Sequence, residues 1–384
     1  MKILYITPSL YIPGGVERVL TLKMNWLAQH TGWEIHVVLT DGKDKEPYYP
    51  LDPRINVTNL DIGFEELWHL PFIKKIPVYL KKQVIYRKKL KKVLFDVRPD
   101  ITDSLLRREI NFITAIKDGS VKIGEHHVNR KHAWNFEEAD TSPLKELFSK
   151  FWTARMVRNL RKLDRFIVLS NEDSTNWPEL DNVSVIHNPV PYIPDTPSPA
   201  EGNTVIAVGR YAYQKGFDLL LKAWAEVAPK HPDWKLEVWG GGERGPYLDL
   251  SASLGLQESV SLNPSTTEIY DKYMKAGIFV LSSRFEGFPM VLLEALGFGL
   301  PIVAFTCPCG VKDCITDGEN GLTAPAEDVD ALARQLDRMM SDPQGRRAMA
   351  ARARETAERY RIDAIMSQWV DLFTSLAKKH GKVA

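Results

Sequence analysis

Short runs of aliphatic and β-branched residues alternate with longer amphipathic stretches along the chain. Lys2–Thr7 is an apolar run of strand length, and Glu17–Gln29 follows it with Val19, Leu22, Trp26 and Leu27 at helical spacing. Glu34–Leu39 and Ile55–Leu60 read as the second and third strands. A long helix then runs to Val97, placing Tyr79, Gln83, Tyr86, Leu90, Val93 and Val97 on one face, and Pro99 stops it. Ile101–Ser104, Val121–Glu125, Arg165–Leu169 and Val183–Ile186 are further strands. Strand–helix–strand alternation predicts an α/β fold: a doubly wound, mostly parallel sheet with helices on both faces.

Pro189–Pro199 interrupts the pattern with five prolines in eleven residues. Such a segment neither continues a helix nor completes a strand ladder, and it reads as a stiff connector. The alternation then restarts. Thr204–Val208, Lys235–Trp239, Val260–Leu262, Ile278–Leu281 and Pro301–Phe305 read as strands. Gly216–Ala228, Tyr247–Leu254 and Pro289–Leu296 read as helices, and Asp328 to about Lys379 as an almost continuous helical tail. The division expected is a first domain over 1–190, a linker over 191–201 and a second domain over 202–364.

The chain has 384 residues, so two domains of ordinary size fit. Its net charge of +1 excludes a whole-protein footprint for nucleic acid. Three cysteines make a disulfide scaffold untenable and point to a reducing, cytoplasmic compartment. The N-terminal apolar run is broken at Pro8, too short for a signal peptide, and no window is apolar enough to span a bilayer. The near-neutral total hides an asymmetry. Residues 1–190 carry 29 basic and 24 acidic side chains, and residues 191–384 carry 21 and 25. From Leu67 to Phe95 there are nine Lys and Arg residues and no Asp or Glu.

Four segments offer chemistry. Gly14 and Gly15 lie where the first strand turns into the first helix; glycines there permit positive φ and close approach of a phosphate to backbone N–H groups. Arg210 and Lys215 lie on the loop after the strand Thr204–Val208, where two cations neutralise a diphosphate. Glu286 and Glu294 stand eight apart around a Gly287-Phe288-Pro289-Met290 turn into a helix, and a carboxylate accepts two hydroxyl hydrogen bonds, as a sugar or ribose requires. Gly124-Glu125-His126-His127 ends a strand of the first domain. By contrast, Cys307, Cys309 and Cys314 fit neither a redox nor a zinc spacing and read as a loop after a buried strand. Asp328-Val329-Asp330 reads as a helix cap rather than a metal motif.

With these segments in order, the sequence resembles the retaining glycosyltransferases of family 4 over nearly its whole length. The resemblance rests on Gly14–Arg18, on Val208–Gly216, on Trp239–Leu250, and above all on Glu286–Phe305, with Val185–Val190 matching the family's interdomain turn. It implies the GT-B architecture, two Rossmann-like domains facing each other across a cleft, with about 365–384 returning to the first domain. It implies a nucleotide-sugar donor, UDP-linked by family habit. Arg210 and Lys215 match the diphosphate pair, Glu294 the ribose carboxylate, and Glu286 the donor-sugar carboxylate, with Gly287, Phe288 and Met290 alongside and Gly14 and Gly15 closing over the diphosphate. The loop Gly240–Gly242 and the segment Asn263–Thr266 match the base region. A histidine near the reacting sugar is frequent in the family; His126 is the first candidate and His127 the second. The implied reaction is glycosyl transfer with retention, needing neither a metal nor another cofactor.

The basic block remains. A solvated helix face accounts for some of its lysines, but nine cations without one anion exceed what solubility needs. Lys81, Lys82, Lys88, Lys89 and Lys92 are therefore expected to meet an anionic membrane or a diphosphate-linked acceptor. The function expected is transfer of a hexose or N-acetylhexosamine to a lipid-linked glycan acceptor in surface polysaccharide synthesis, at the cytoplasmic face of the inner membrane. A sugar-nucleotide 2-epimerase on the same fold and a non-catalytic nucleotide-sugar-binding partner are the alternatives.

Overall fold

The computed structural model describes residues 1–130 and 153–382. The chain divides into two units. One comprises Met1–Leu169, Ser174–Ile186 and the chain from Ile365 on, and the other Ser170–Asp173 and His187–Ala364.

The first unit is built on a seven-stranded sheet of β1 (Lys2–Thr7), β2 (Glu34–Leu39), β3 (Asn56–Asn59), β4 (Ile101–Ser104), β5 (Val121–His126), β6 (Arg165–Val168) and β7 (Val183–Val185). The strand order is β3-β2-β1-β4-β5-β6-β7 and every pairing is parallel. The long apolar runs of the inner strands follow from this: a parallel sheet is covered on both faces, so those strands have no solvent side, whereas the edge strand β3 keeps exposed positions. The helix Phe72–Val97 packs Tyr86, Leu90 and Leu94 onto Leu4, Ile6 and Val38 of the sheet. A second cluster, centred on Phe166, Val168 and Trp177, receives Met156 and Leu160 of a helix over 153–160.

The helix Gly15–His30 corrects one expectation. Its buried stripe is Val19, Leu20, Lys23, Met24 and Leu27, while Leu22 and Trp26 are only half-buried. Lys23 is carried into the interior because its ammonium has partners there. It sits 2.5 Å from Glu125, 3.8 Å from Asp103 and 3.3 Å from the centre of the Trp369 ring.

The second unit holds β8 (Thr204–Val208), β9 (Lys235–Trp239), β10 (Val260–Asn263), β11 (Ile278–Leu281), β12 (Ile302–Phe305) and β13 (Gly321–Ala324) in the order β10-β9-β8-β11-β12-β13, again all parallel. The tail resolves into the helices Val329–Ser341, Pro343–Glu358 and Ile362–Lys379. Asp328 caps the first of these, accepting the Ala331 N–H at 2.9 Å.

The Pro-rich segment is extended but not free-standing. Val190 N–H donates to Tyr360 O, Ser198 N–H donates to Phe298 O, and Arg354 donates to Pro194 O, so the segment is bound along the second unit. The two sheets share one topological property. Strand order reverses beside β1 in the first and beside β8 in the second, and such switch points open a crevice at the carboxyl ends of the strands.

Candidate functional site

In the second unit the crevice lies where the loops after β8 and β11 diverge. Lys215 leaves the first loop and Glu286 the second, and the ammonium meets the carboxylate at 2.7 Å. Ser283 Oγ donates to the same oxygen at 2.6 Å, and Pro308 O accepts the Glu286 N–H at 3.1 Å. The Cys307-Pro308-Cys309 loop thus seats Glu286, and its thiols are buried and not disulfide-bonded, Cys307 held above the ordinary thiol range by burial. Arg210 is exposed on the β8 loop.

Two glycines make this geometry possible. Gly216 adopts φ +61, and a Cβ there would meet Ser282 O at 2.1 Å. At Gly209 a Cβ would press on the Lys215 stem, 3.0 Å from Cε, so the bare backbone gives the side chain its bed.

Arg284 has no counterpart in the sequence reading. Its guanidinium pairs with both Asp218 oxygens, at 2.9 and 2.7 Å, with Glu327 at 3.0 Å and with Tyr213 O at 2.7 Å. It lies 4.0 Å from the centre of the Tyr213 ring. The hydrogen bonds to Asp218 are the main reason its pKa is raised. Its only sequence signal is its place directly before the Glu286 turn. The Tyr213–Lys215 loop is therefore clamped by Arg284.

Glu294 lies in the helix Met290–Gly297 and is buried, not on an exposed helix face; Tyr273 donates to its Oε2 at 2.9 Å. Phe288 is buried and stacks on His187, with ring centres 5.1 Å apart, while Met290 opens the helix and is half-buried. Gly287 is half-buried on the same loop. Gly240 packs directly on the β8 loop, since a Cβ there would fall 1.7 Å from Gly209 O.

The first unit has its own cavity at its switch point, of about 410 Å³. Residues from the loop after β1, from Arg107 and Arg108 after β4, and from His126, His127 and Val128 after β5 line it, with Asp41 and Glu65. Gly14 and Gly15 start the helix without positive φ; Gly14 is extended at φ −102. Its smallness serves a different purpose, because the Glu17 carboxylate lies 2.1 Å from where a Cβ would be.

The two histidines part company. His126 sets its ring edge-on to Trp177, at 5.3 Å, and beside Phe166. His127 meets Glu125 Oε2 through Nε2 at 3.2 Å. Burial opposes a charge on Glu125, but the Lys23 ammonium and the His127 hydrogen bond outweigh it and keep the carboxyl ionised. Burial also pushes Asp103 well above the ordinary carboxyl range, reinforced by the Glu125 charge. Burial lowers the His127 pKa against the pull of Glu125. An ionised carboxylate only accepts, so the His127 proton sits on Nε2.

The basic helix splits its lysines between two tasks. Lys82 donates to Ile62 O at 2.5 Å and Gly63 O at 2.9 Å, and Lys89 donates to Leu60 O at 2.5 Å. These two tie down the chain after β3 and are not surface charges awaiting a partner. Lys92 pairs with Asp96 at 2.5 Å on the exposed side. Lys81 and Lys88 are exposed, as are Arg87 and Lys91. Among them, and unforeseen, stand Leu80, 58% exposed, and Val84, 71% exposed. No described helix is long and apolar enough to cross a membrane.

Residues 192–356 match the model of the group 1 glycosyl transferases. An uncharacterized glycosyltransferase of Haemophilus influenzae is 29% identical over 380 residues, covering 96% of this chain and 98% of the relative. A Campylobacter jejuni relative, an α-1,4-N-acetyl-D-galactosaminyltransferase acting on a GalNAc-GalNAc-diNAcBac-PP-undecaprenol, is 27% identical over 98% of this chain and 99% of its own. Among solved structures, sucrose-phosphate synthase from Thermosynechococcus elongatus superposes with a TM-score of 0.80 over 98% of both chains, at 19% identity. Two parallel Rossmann-like sheets and the likeness to solved structures give the chain the GT-B fold, and its second unit is similar in sequence to the group 1 glycosyl transferases.

Proposed function

We propose that the protein transfers a hexose or N-acetylhexosamine, with retention, from a UDP-sugar to a lipid-linked glycan acceptor in surface polysaccharide synthesis. The observation that carries the reading is the Lys215–Glu286 pair at the switch point of the second unit. A cation bound to a carboxylate in an otherwise ready crevice suits a ligand that brings phosphate for the lysine and hydroxyls for the glutamate. In the reaction the bond from the donor's C1 to the diphosphate oxygen breaks and the electron pair leaves with the nucleoside diphosphate. The acceptor hydroxyl bonds to C1 from the same face, and its proton passes to the departing phosphate. Arg210 and Lys215 stabilise the leaving charge, which is electrostatic catalysis and calls for no metal. Glu286 orients the donor sugar, Glu294 the ribose, and the Gly287–Met290 turn the ring between them.

The Campylobacter relative's undecaprenol-linked acceptor supports a lipid-linked substrate for this chain. The outer face of the helix Phe72–Val97 supports peripheral attachment to an anionic leaflet. At 3.6 residues per turn, Leu80, Val84, Arg87, Lys88, Lys91 and Phe95 fall within an arc of about 100°. All six are exposed, and a mixed apolar and basic face of this kind lies in the headgroup layer.

The test is nucleoside diphosphate release across a panel of nucleotide sugars, with and without membrane-extracted acceptor. Acceptor-dependent release from one sugar supports the reading. Interconversion of the sugar without acceptor would establish the epimerase instead.

A further inference from the structure

A second cavity of the first unit, of about 520 Å³, lies away from the carboxyl ends of the strands, between the helix over 153–160 and the turn that leads into β7. Arg130, Arg158, Arg161 and Glu179 line it, with Ala154 and Val157 on its apolar side. Among the described residues Glu179 is the acidic group of the lining, and it is already engaged. Arg130 grips both of its oxygens, at 2.9 and 2.8 Å, donates to Asn176 O and lies 4.5 Å from the centre of the Trp177 ring. The Arg130 hydrogen bonds hold the Glu179 carboxyl down at about 2. Arg161 turns one N–H to Glu179 O at 2.8 Å, which aims its guanidinium, and the rest of its fork has no partner among the described residues. Arg158, three residues earlier and so on the same helix face, is exposed and has no hydrogen-bond or ion-pair partner among the described residues. Three guanidiniums thus face one cavity with a single carboxylate, and two of them keep donors that the fold does not use. Like charges gathered in this way repel, and an anion between them removes the cost.

We propose that this cavity binds a phosphate monoester, its phosphate held by Arg158 and Arg161 and its organic part laid on Ala154 and Val157. A guanidinium presents a planar fork to two oxygens at once. Two forks on one ligand need more than the two oxygens of a carboxylate, and a phosphate monoester offers three. The Arg130 fork keeps Glu179 from neutralising its neighbours and fixes the turn whose carbonyl aims Arg161. A soluble phosphate ester and a phosphomonoester lipid headgroup share this chemistry. The site is independent of the transferase reading, since none of its residues belongs to the second unit.

The test uses the full chain, with phenyl phosphate, benzoate and inorganic phosphate titrated by calorimetry. Binding to this cavity is read as the difference between wild type and Arg158→Gln, so phosphate taken up elsewhere in the chain cancels. Arg158 makes no contact that the fold needs, and the variant should keep the wild-type Tm without ligand. Phenyl phosphate should bind wild type about tenfold or more tighter than benzoate, and Arg158→Gln should weaken it about tenfold. Adding Arg161→Gln should abolish the remaining preference. Arg158→Lys keeps the charge without the fork and should recover only a small part of the loss. Saturating phenyl phosphate should raise the Tm of wild type more than that of Arg158→Gln. Flotation with phosphatidate and phosphatidylcholine vesicles, in a Lys81→Glu, Lys88→Glu background, separates the two sources. Phosphatidate flotation that falls with Arg158→Gln assigns the site to a lipid headgroup, and flotation unmoved by it, with phenyl phosphate still lost, assigns it to a soluble ester. Benzoate binding as tightly as phenyl phosphate, binding undiminished in Arg158→Gln, full recovery by Arg158→Lys, or no binding at all would overturn the proposal. Inorganic phosphate binding as tightly as phenyl phosphate would overturn the part given to Ala154 and Val157.

Discussion

The Lys215 ammonium and the Glu286 carboxylate meet at 2.7 Å across the reversal of strand order in the second sheet. Glu286 is 6% exposed, and among the described residues Lys215 is the cation that pairs with it, beside hydrogen bonds from Ser283 and Gln214. Lys215→Ala should therefore act twice. Donor turnover should fall about 10²- to 10³-fold, the range for losing one preorganised charge-stabilising group. Stability should fall by about 2 kcal/mol as a buried carboxylate loses its cation. Steady-state assays and urea denaturation measure the two separately, and near-normal turnover would contradict the assigned role.

Arg284→Lys should not behave as a conservative change. An ammonium cannot reproduce the fork that grips Asp218, Glu327 and Tyr213 O together. A stability loss of about 1–3 kcal/mol is expected. The donor KM should rise with it, since the freed loop carries Lys215. An unchanged KM in a well-folded variant would show that the clamp does not hold that loop.

Gly216→Ala combines a left-handed φ with a clash at Ser282 O. The expected cost is about 2 kcal/mol or more, read as a lower Tm. Gly241→Ala, where a Cβ meets nothing within 4 Å, is the control and should be nearly neutral.

Lys82→Gln and the double change Lys81→Glu, Lys88→Glu should separate stability from attachment. The first removes the donor that serves Ile62 O and Gly63 O and should cost about 1–2 kcal/mol with little effect on flotation with anionic vesicles. The second should leave the denaturation midpoint nearly unchanged and reduce flotation several-fold. Flotation unaffected by the double change would refute the attachment face.

Acidification should reveal His127. Its pKa is lowered by folding, so below the ordinary value near 6.5 the unfolded chain binds a proton that the folded chain resists. That contribution to stability is therefore lost as pH falls through 6.5 and is recovered above it. His127→Gln lacks the effect. The stability difference between wild type and variant should shrink from pH 7.5 to pH 5.5, as followed by urea midpoints; a constant difference would mean that His127 titrates normally.

Most of the fold was legible because parallel sheets write themselves as apolar runs between turn signals. β13 escaped because Gly321–Ala324 is four residues long and includes a glycine and a threonine. The buried stripe of the first helix was misplaced because a lysine belongs to it, and the partner that makes this possible stands 102 residues away. The same reason hid Arg284, whose carboxylates lie 66 and 43 residues off. Lys82 and Lys89 read as surface charge because local spacing says nothing about carbonyls on a neighbouring loop. The Lys215 and Glu286 motifs were visible as motifs, but their direct ion pair was not, since the sequence offers no measure of distance between two loops.

The second unit is nearly one uninterrupted stretch of chain, whereas the first is closed by residues from Ile365 on. This fixes an order of events during synthesis. All seven strands of the first sheet leave the ribosome before the second unit, but Trp369 and Phe373, which cover Lys23 and Trp33, emerge after it. Until then the Lys23 ammonium and its carboxylates remain open to water on a half-finished face. The nascent first unit is thus a species that must persist while its neighbour is translated, and it is the stage at which a chaperone has most surface to hold.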